Sequence, residues 1–449
     1  MIHSIISVLK KCWINPIWNI CCAIRNKGGI VACWNLVFRR YREGLSIKTI
    51  LRESWKSRIG TGYFEWQERF EKLTPQDMSA IRKQIQGLQS PPLISILMPV
   101  YNPDPHLLRQ ALDSVQNQIY PYWELCIADD ASPNAQIQTI LEDYCRADSR
   151  IHVIFRKENG HICAASNSAL GLCTGTYTAL MDHDDILPEV ALYFVAMEIT
   201  QHPDAMLIYS DEDLLSPQDK RYNPHFKPDW NEPLFLASNY LNHLSIYRTS
   251  LLREIGGFRL GYEGSQDHDL TLRCVLKIRP SQIRHIPRIL YHWRQFPGSG
   301  SFSDRALEQC KKARRQAVAD YLETKKCNAT VTSGCFGFNK INYTLKKLPL
   351  VTCVIPARNH AELTQICLNG LLYHTDYAPI EVILVDNGSI EQDAISLYKS
   401  FKNHPKVHVI HWDKPFNYSE INNMAAREAH GEILAFLNND IKVIHPDWL

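Results

Sequence analysis

The sequence predicts an α/β protein with a mostly parallel central sheet flanked by helices, and three observations support this prediction. Apolar, β-prone segments alternate with helical segments four times in about 90 residues after Leu93. These apolar segments are continuous, as expected of strands buried on both faces of a parallel sheet. Polar residues follow three of them directly, and ligands bind at the carboxyl ends of strands in such sheets.

Each predicted element has a local reason, taken here in chain order. Thr74 can cap a helix that has Pro75 at its first position and Asp77 in its first turn, and "SPP" at 90–92 ends it. The strands that follow are "LISILMPVY", "WELCIADD", "IHVIFR" and "TYTALMD". The helices between them are "PHLLRQALDSVQNQ", "IQTILEDYCRA" and "ICAASNSALGLC".

The opening pattern returns later in the chain. "PLVTCVIPARN" repeats "PLISILMPVYN", and "IEVILVDNGS" repeats "WELCIADDAS". A period of about 250 residues is far too long for a solenoid, so we expect two copies of one domain, with the second lacking the half that runs from 190 to 300 in the first. The predicted parts are a basic, aromatic, mainly helical segment (1–90), a first domain (91–305), a linker (306–348) and an incomplete second domain (349–449).

Composition places the chain among ordinary globular proteins. Of its 449 residues, 45% are hydrophobic and 21% are charged, with a formal net charge of +2. The fourteen cysteines include no C-x-x-C pair, which favours reduced core thiols over a zinc site or a disulfide scaffold. No apolar run reaches the roughly 18 residues of a spanning helix. These features predict a cytoplasmic protein.

Basic residues are concentrated at the N-terminus. Residues 1–58 contain eleven Lys or Arg and only two acidic residues. Together with Trp13, Trp18 and Trp34, this composition suits a helix that lies peripherally on an anionic membrane surface. A basic helical hairpin that packs on the following domain explains it equally well.

The segment "LMDHDDILPE" places Asp182, Asp184 and Asp185 directly after an apolar, β-prone run. Acidic residues at a strand end indicate a divalent cation, because Mg²⁺ and Mn²⁺ prefer carboxylate oxygens and often bridge to a diphosphate. A solvated acidic loop, or capping of the following helix, is the alternative. We favour the cation site because two other polar strand ends face the same edge. Those ends carry Tyr101, Asn102, Asp129 and Asp130.

Two later segments carry further candidates. In "GSQDHDL", Asp267 or Asp269 could take a proton from an incoming hydroxyl, although helix capping explains either residue alone. In "ILYHWRQ", His292 could bind a metal ion and Arg294 could bind phosphate. A partly buried histidine with satisfied hydrogen bonds is the more common role for His292 taken alone.

Six motifs in sequence order give the chain its resemblance to a known family. They are "PVYN" (99–102), "ADDAS" (128–132), "NGHICAASN" (159–167), "DHDD" (182–185), "SQDHDL" (265–270) and "YHWR" (291–294). The chain resembles the family 2 glycosyltransferases, which have the GT-A nucleotide-sugar-binding fold, fully over 92–300 and partially over 349–449. It is most similar to bacterial multi-domain members that build O-antigen and other surface polysaccharides.

The resemblance implies an inverting, metal-dependent transfer of a sugar from a nucleoside diphosphate to a saccharide hydroxyl, with Mn²⁺ or Mg²⁺ as cofactor. Asp267 matches the catalytic aspartate, although Gln266 stands where many members have Glu. The implied metal ligands are Asp182, Asp184 and His292. The residues implied to contact the nucleotide sugar are Pro99, Tyr101, Asn102, Asp129, Asp130, Asn159, Asp182 and Arg294.

The resemblance extends to "YSDEDLL" (209–215) and "FKPDW" (226–230), whose acids and Lys227 could line the donor or acceptor site. The expected donor is linked to UDP or dTDP, and the expected acceptor is an oligosaccharide or a lipid-linked saccharide. In the second copy "NND" replaces "DHD", and the "ED" region is missing, so we expect this copy to form no complete site.

A catalytically degenerate sugar-nucleotide-binding or scaffold protein is the competing hypothesis. Gln266 and the incomplete second copy favour it, whereas Asp182, Asp184 and Asp267 oppose it. A nucleotidyltransferase should carry a glycine- and arginine-rich phosphate loop near its first strand, and "PVYNPDPH" is not one. A dehydrogenase is excluded because no G-x-G-x-x-G follows a strand, and no nucleic-acid-binding motif is present.

Overall fold

The computed structural model describes residues 62–295 and 307–449. The chain divides after Asn342 into two compact units. Most of the basic N-terminal segment, including its predicted membrane-surface helix, lies outside the described residues. Within the described ranges, no helix combines the length and apolar character needed to cross a membrane. The ten cysteines found there are all free thiols.

The first unit is built on an eight-stranded sheet. Its strands are β1 (Ile94–Val100), β2 (Trp123–Asp129), β3 (Ile151–Phe155), β4 (Tyr177–Leu180), β5 (Leu207–Leu215), β6 (Arg221–His225), β7 (Ser245–Arg248) and β8 (Ile283–Arg294). Their order is β3-β2-β1-β4-β7-β5-β6, with β8 paired to β5. β1 to β4 are mutually parallel and β8 is parallel to β5, whereas β6 and β7 run antiparallel to their neighbours. The predicted mixed α/β architecture is confirmed.

Helices cover both faces of this sheet. They are α1 (Pro75–Gln86), α2 (Pro105–Gln116), α3 (Ala135–Ala147), α4 (His161–Leu172), α5 (Ala191–Gln201), α6 (Glu232–Ala237), α7 (Thr249–Glu254), α8 (Gln266–Val275) and α9 (Leu307–Thr324). Successive side chains of a strand point to opposite faces. Ile96 and Met98 of β1 accordingly pack in one core with α2 and α5, whereas Leu97 packs in the other core with α4.

Helix starts follow the capping residues. Thr74 caps α1 in a capping box with Asp77, and Pro75 occupies the first turn as predicted. Asp104 caps α2 by accepting a hydrogen bond from the His106 N–H at 2.8 Å. The Asp104 cap fixes where the chain turns from β1 into α2.

The segment predicted as a linker, 306–348, differs from that prediction where the structure describes it. It contains α9 and a hairpin of β9 (Ala329–Ser333) and β10 (Asn339–Tyr343). Val318 and Tyr321 of α9 are buried in the core that also holds α4 and α8 residues. The sequence pattern did not predict α9, because its many charged residues leave only a narrow apolar face.

The second unit repeats the first four strands of the first unit. Its strands are β11 (Val351–Ala357), β12 (Ile380–Asp386), β13 (Val407–His411) and β14 (Ile433–Phe436), and its helices are α10 (Ala361–Tyr373), α11 (Gln392–Phe401) and α12 (Tyr418–Glu428). The parallel order β13-β12-β11-β14 matches β3-β2-β1-β4. The pairing of Val351 with Ile380 matches that of Ile94 with Trp123, which supports the repeat seen in the sequence.

Candidate active site

The carboxyl ends of β1, β2 and β4 meet at one edge of the first sheet. β1 lies between the other two strands, and all three run in parallel. Two contacts join the loops that follow: the Asn102 N–H donates to Ser132 Oγ at 2.8 Å, and His183 Nδ1 lies 3.2 Å from the Pro99 carbonyl oxygen. Tyr101 stands beside them with about half of its side chain exposed. Three polar segments of the sequence thus come together.

The two carboxylates at the end of β2 have different partners. Asp129 accepts hydrogen bonds from the Ser132 hydroxyl at 2.5 Å and from the Ser132 N–H at 3.2 Å. Asp130 is buried, pairs with Arg156 Nε at 2.7 Å and accepts a backbone N–H from the start of α4 at 3.0 Å. Asn159 Nδ2 donates to the Asp130 carbonyl at 3.2 Å. Asp130 therefore has an internal counter-charge.

The three aspartates after β4 differ in depth. Asp185 is buried and accepts hydrogen bonds from the Tyr291 hydroxyl at 2.6 Å and the Arg294 N–H at 2.7 Å. Burial and then the charges of Asp184 and Asp182 raise the pKa of Asp185 well above its ordinary value. The Asp182 and Asp184 carboxylates are half-buried and accept no hydrogen bond from the described residues. No Lys or Arg of the described residues forms a salt bridge with these three carboxylates.

His243 joins the cluster, and sequence reasoning missed it. Asp182, Asp185 and His243 each offer a ligand atom, and these atoms lie within 4.8 Å of one another. The His243 ring stacks on Tyr291, with centroids 4.4 Å apart and planes 12° apart. Because β7 is antiparallel to β4, the residues before β7 lie beside those that follow β4. Only this long-range pairing, which the local pattern does not contain, would have revealed His243.

A buried ion pair holds the backbone of His243. Glu212 Oε2 accepts the His243 N–H at 3.1 Å and lies 3.3 Å from Lys227 Nζ. Lys227 Nζ in turn donates to the carbonyls of His243 and, at 2.5 Å, of Leu241. Burial would raise the pKa of Glu212, but the charge of Lys227 and a hydrogen bond from His225 outweigh burial and lower it to about 2. Lys227 therefore supports the backbone of His243 and does not itself line the site.

Neither His292 nor Asp184 belongs to this ligand group. His292 Nδ1 lies 2.6 Å from Asp213 Oδ1, and Asp213 also pairs with Arg221 Nε at 2.6 Å. Tyr291 points toward the aspartates, so its neighbour on β8 points to the opposite face. The alternation of side chains along the strand thus separates His292 from the metal-ligand candidates with which the sequence had grouped it.

The Arg294 guanidinium lies at the same edge, and each of its three nitrogens donates a hydrogen bond. Its Nε donates to the Asp184 carbonyl at 3.0 Å, its Nη1 to Asp219 Oδ1 at 2.6 Å and its Nη2 to Gln110 Oε1 at 2.9 Å. The guanidinium is buried, whereas about half of the Asp219 side chain is exposed. The hydrogen bond from Arg294 lowers the pKa of Asp219, which keeps this partner ionised.

Asp267 lies in the first turn of α8, facing the cluster. It is half-buried, and its Oδ2 accepts a hydrogen bond from Asn239 Nδ2 at 2.7 Å. Burial raises the pKa of Asp267, His243 opposes this rise, and the charge of Asp182 adds to it. A carboxylate with a raised pKa is suited to accept a proton.

The neighbours of Asp267 have structural roles. Asp269 is buried, accepts from Arg259 Nε at 3.1 Å and pairs with Arg273 Nε at 2.9 Å. The Gln266 side-chain oxygen accepts the Gly264 N–H at 2.7 Å, a contact that an uncharged acceptor makes as well as a carboxylate. Of the two aspartates that the sequence offered, Asp267 is therefore the one free to react.

The mostly parallel sheet flanked by helices, with acidic residues at its carboxyl edge, agrees with the GT-A class of fold that the sequence resemblance implied. The chain belongs to glycosyl transferase family 2, whose family model matches residues 95–256 and 352–449. This confirms the resemblance that the six motifs indicated. The two matched ranges coincide with the two copies of the repeat.

Two curated relatives that cover most of this chain are longer than it. An uncharacterized protein, y4gI, of Sinorhizobium fredii is 39% identical over 416 residues, which are 91% of this chain and 46% of that protein. The O-antigen biosynthesis protein RfbC of Myxococcus xanthus is 34% identical over 375 residues, 84% of this chain and 29% of that protein. This chain spans less than half the length of either.

Among solved structures, S. aureus TarS 1–349 in complex with UDP-GlcNAc is similar to this chain. The TM-score is 0.41 and the sequence identity is 19%, with 51% of this chain and 71% of that chain covered.

Proposed function

We propose that the first unit transfers a sugar from a nucleoside diphosphate donor to a saccharide hydroxyl, with inversion, in the synthesis of a cell-surface polysaccharide. Membership of glycosyl transferase family 2 supports the reaction class. The similarity to an O-antigen biosynthesis protein supports the product class. The observation that carries the proposal is the convergence of Asp182, Asp185, His243 and Asp267 at one edge of the sheet.

The acidic edge fits a divalent cation. Burial, and then the charges of Asp184 and Asp182, raise the pKa of Asp185. The carboxylates of Asp182 and Asp184 pair with no cation among the described residues. Carboxylate oxygens with one imidazole suit Mn²⁺, and Mg²⁺ accepts the carboxylates. Asp182, Asp185 and His243 would hold the ion, with Asp184 next to it in the same loop. Such an ion stabilises the negative charge that develops on a departing diphosphate.

Asp267 is the proposed general base. Its raised pKa makes it a stronger base than an ordinary aspartate, and Asn239 fixes the orientation of its carboxylate. It takes the proton of the acceptor hydroxyl as the oxygen attacks the anomeric carbon from the side opposite the diphosphate. This in-line attack inverts the anomeric centre and needs no covalent enzyme intermediate.

The proposed nucleotide contacts lie at or after the carboxyl ends of β1 to β4. They are Pro99, Tyr101, Asn102, Asp129, Asp130, Asn159 and Asp182. Tyr101 offers an exposed ring for stacking. His292 has only Nε2 left for a ligand, because Asp213 holds Nδ1. Arg294 reaches a diphosphate only by releasing Asp219 or Gln110.

The test is release of nucleoside diphosphate from a panel of UDP- and dTDP-linked sugars in the presence of Mn²⁺ or Mg²⁺. Binding of the same donors is followed by calorimetry. Asp182→Asn is the test variant, and Asp440→Asn in the second unit is a matched control. We expect cation-dependent release that is lost in Asp182→Asn and retained in Asp440→Asn. Cation-dependent binding without turnover by any donor or acceptor would instead favour the sugar-nucleotide-binding or scaffold protein.

A further inference from the structure

The second unit carries a group of two histidines and one glutamate at the edge opposite its strand carboxyl ends. Glu381 is the second residue of β12, His408 the second of β13, and His430 precedes β14. One ligand atom from each lies within 4.8 Å of the others. Glu381 Oε1 is 2.7 Å from His430 Nδ1 and 3.4 Å from His408 Nε2.

The equivalent glutamate of the first unit serves the fold alone. Glu124 Oε1 accepts the Ser95 hydroxyl at 2.5 Å, the Thr174 N–H at 2.5 Å and the Gly175 N–H at 2.9 Å. Its Oε2 accepts the Thr174 hydroxyl at 2.8 Å. Both oxygens are therefore used to fasten the start of β4 to β1 and β2.

In the second unit a single oxygen performs this task. Glu381 Oε2 accepts the Thr352 hydroxyl at 2.6 Å and the His430 N–H at 3.0 Å. Its Oε1 faces only the two imidazole rings among the described residues. The carboxylate is thus fixed from inside by one oxygen and presents the other to the surface, which is how supporting contacts orient metal-ligating carboxylates.

One substitution between the copies creates this arrangement. His152 of the first unit occupies the strand position that His408 occupies in the second, and it lies 4.0 Å from Glu124. Thr174 stands where the second unit has His430. The first unit therefore has one imidazole beside its glutamate, and the second unit has two.

Charge and exposure both suit a cation from solvent. The Glu381 side chain is 8% exposed, whereas the His408 and His430 side chains are 56% and 72% exposed. Burial would raise the pKa of Glu381, but hydrogen bonds from Thr352 and His430 outweigh burial and lower it. Both imidazole rings are therefore open to water beside a carboxylate that is fixed from inside.

We propose that Glu381, His408 and His430 form a binding site for a borderline-soft divalent cation of the Zn²⁺ class. Two imidazoles and one carboxylate are ligands typical of Zn²⁺, and water completes the coordination. The ion would join β12, β13 and the segment before β14. This site is separate from the acidic edge of the first unit and does not depend on the function proposed for that unit.

The test uses the full chain without an affinity tag, stripped of metal and titrated with Co²⁺ and then Zn²⁺ in saturating Mg²⁺. Mg²⁺ occupies carboxylate-rich sites and competes poorly for imidazole. We expect one Co²⁺ site with visible d–d absorption, no thiolate charge-transfer band and displacement by Zn²⁺. His430→Thr, which restores the residue type of the first unit, should weaken binding at least tenfold, and so should His408→Ala.

His411→Thr is the matched control, because His411 is an exposed histidine of the same strand that pairs with Asp386. Its Co²⁺ affinity should equal that of the unaltered chain, and circular dichroism should show that all variants are folded. Equal binding by His430→Thr and His408→Ala would overturn the proposal. So would a Kd weaker than about 1 mM for the unaltered chain, which marks only nonspecific surface binding.

Discussion

The two units share one frame at the ends of their first two strands. Asn102 and Asn359 follow the first strands, both with left-handed backbone (φ 46° and 57°), and each donates its N–H to a serine hydroxyl at 2.8 Å. The second strands end in Asp129 and Asp386, and each carboxylate accepts the N–H of that serine. The loops assigned to the nucleotide are thus built the same way twice.

The units differ at the end of the next strand. Asp182 and Asp184 stand in the first unit where Asn438 and Asp440 stand in the second. Among the described residues, the second unit contains no counterpart of β5 to β8 or of α8, which supply the base and the support for His243. The comparison teaches that the frame common to both units carries the proposed nucleotide contacts, whereas the proposed chemistry also needs the additional half found in the first unit.

The largest expected effect comes from Asp267→Asn, which removes the base but keeps the side-chain size and an acceptor for Asn239. We expect sugar transfer to fall by about a hundredfold to ten-thousandfold, the usual range for a lost general base. Donor binding, measured by calorimetry, should change little. Transfer at the original rate would show that the base is another residue. The catalytic difference between the two units would then not rest on Asp267.

Lys227→Met should produce the next largest effect, because it leaves the buried Glu212 carboxylate without its cation. We expect the first unit to lose about 3–5 kcal/mol of unfolding free energy, and the double variant with Glu212→Gln to recover part of it. Urea unfolding gives the total, and hydrogen exchange should show that peptides of α11 and α12 are unaffected. Mn²⁺ affinity, measured by electron paramagnetic resonance, should fall because His243 loses its backbone support. A double-mutant cycle that gives no coupling energy between Lys227 and Glu212 would contradict the pairing.

Glu212 also predicts a dependence of stability on acid. Its pKa is about 2 in the folded protein and 4.5 without the fold, so its stabilising contribution is complete above 4.5 and disappears as the pH falls toward 2. We expect the unfolding free energy of the first unit to decrease over that interval, and Glu212→Gln to reduce this decrease. The measurement is urea unfolding at several pH values. A variant that follows the original pH curve would exclude Glu212 as the source.

The glutamate that the two copies share sharpens the comparison further. Glu124→Gln disturbs four hydrogen bonds that hold the fold, whereas Glu381→Gln disturbs two such bonds besides its imidazole contacts. At about 1.5–3 kcal/mol for each bond to a charged acceptor, we expect the first change to destabilise its unit about twice as much as the second. Hydrogen exchange of each sheet reports the two units separately. Equal losses of unfolding free energy would show that both glutamates stabilise their units to the same extent.

The smallest effect is expected from Asp219→Asn, which weakens the hold on the Arg294 guanidinium. We expect donor affinity to rise about threefold to fivefold, since a half-exposed pair contributes roughly 1 kcal/mol or less. Asp143→Asn on the exposed face of α3 is the control, because Asp143 pairs only with the exposed Arg146 of the same helix among the described residues. Calorimetry with the preferred donor makes the measurement. An unchanged affinity would mean that Arg294 does not meet the donor.

Local patterns were enough to predict much of the frame. Continuous apolar runs predicted β1 to β4, and parallel strands bring their ends together, so Asp129 and Asp182 could be placed at one edge. The capping box at Thr74 is a four-residue signal and was equally readable. The repeat followed from the same runs, because each copy keeps its own strand pattern.

Long-range pairing set the limit of prediction for the rest. His243 reaches the aspartates through the antiparallel contact of β7 with β4, and Lys227 supports it across about sixteen residues of chain. The sequence grouped His292 with the proposed metal ligands, whereas the structure places it outside the group of Asp182, Asp185 and His243, because the direction of a strand side chain depends on which neighbour faces the site. Tyr291 faces it, and the sequence does not say so.

The carboxylate that holds Arg294 also acts as a tethered competitor for anions. Asp219 cannot diffuse away, so it faces the guanidinium at an effective concentration in about the millimolar range. Dilute chloride or inorganic phosphate therefore does not displace it. A diphosphate held by a divalent cation at the neighbouring acidic edge is itself confined beside the guanidinium, so it can compete with Asp219. The turn that carries Asp219 thus favours a ligand that the adjacent residues hold in place over a free anion.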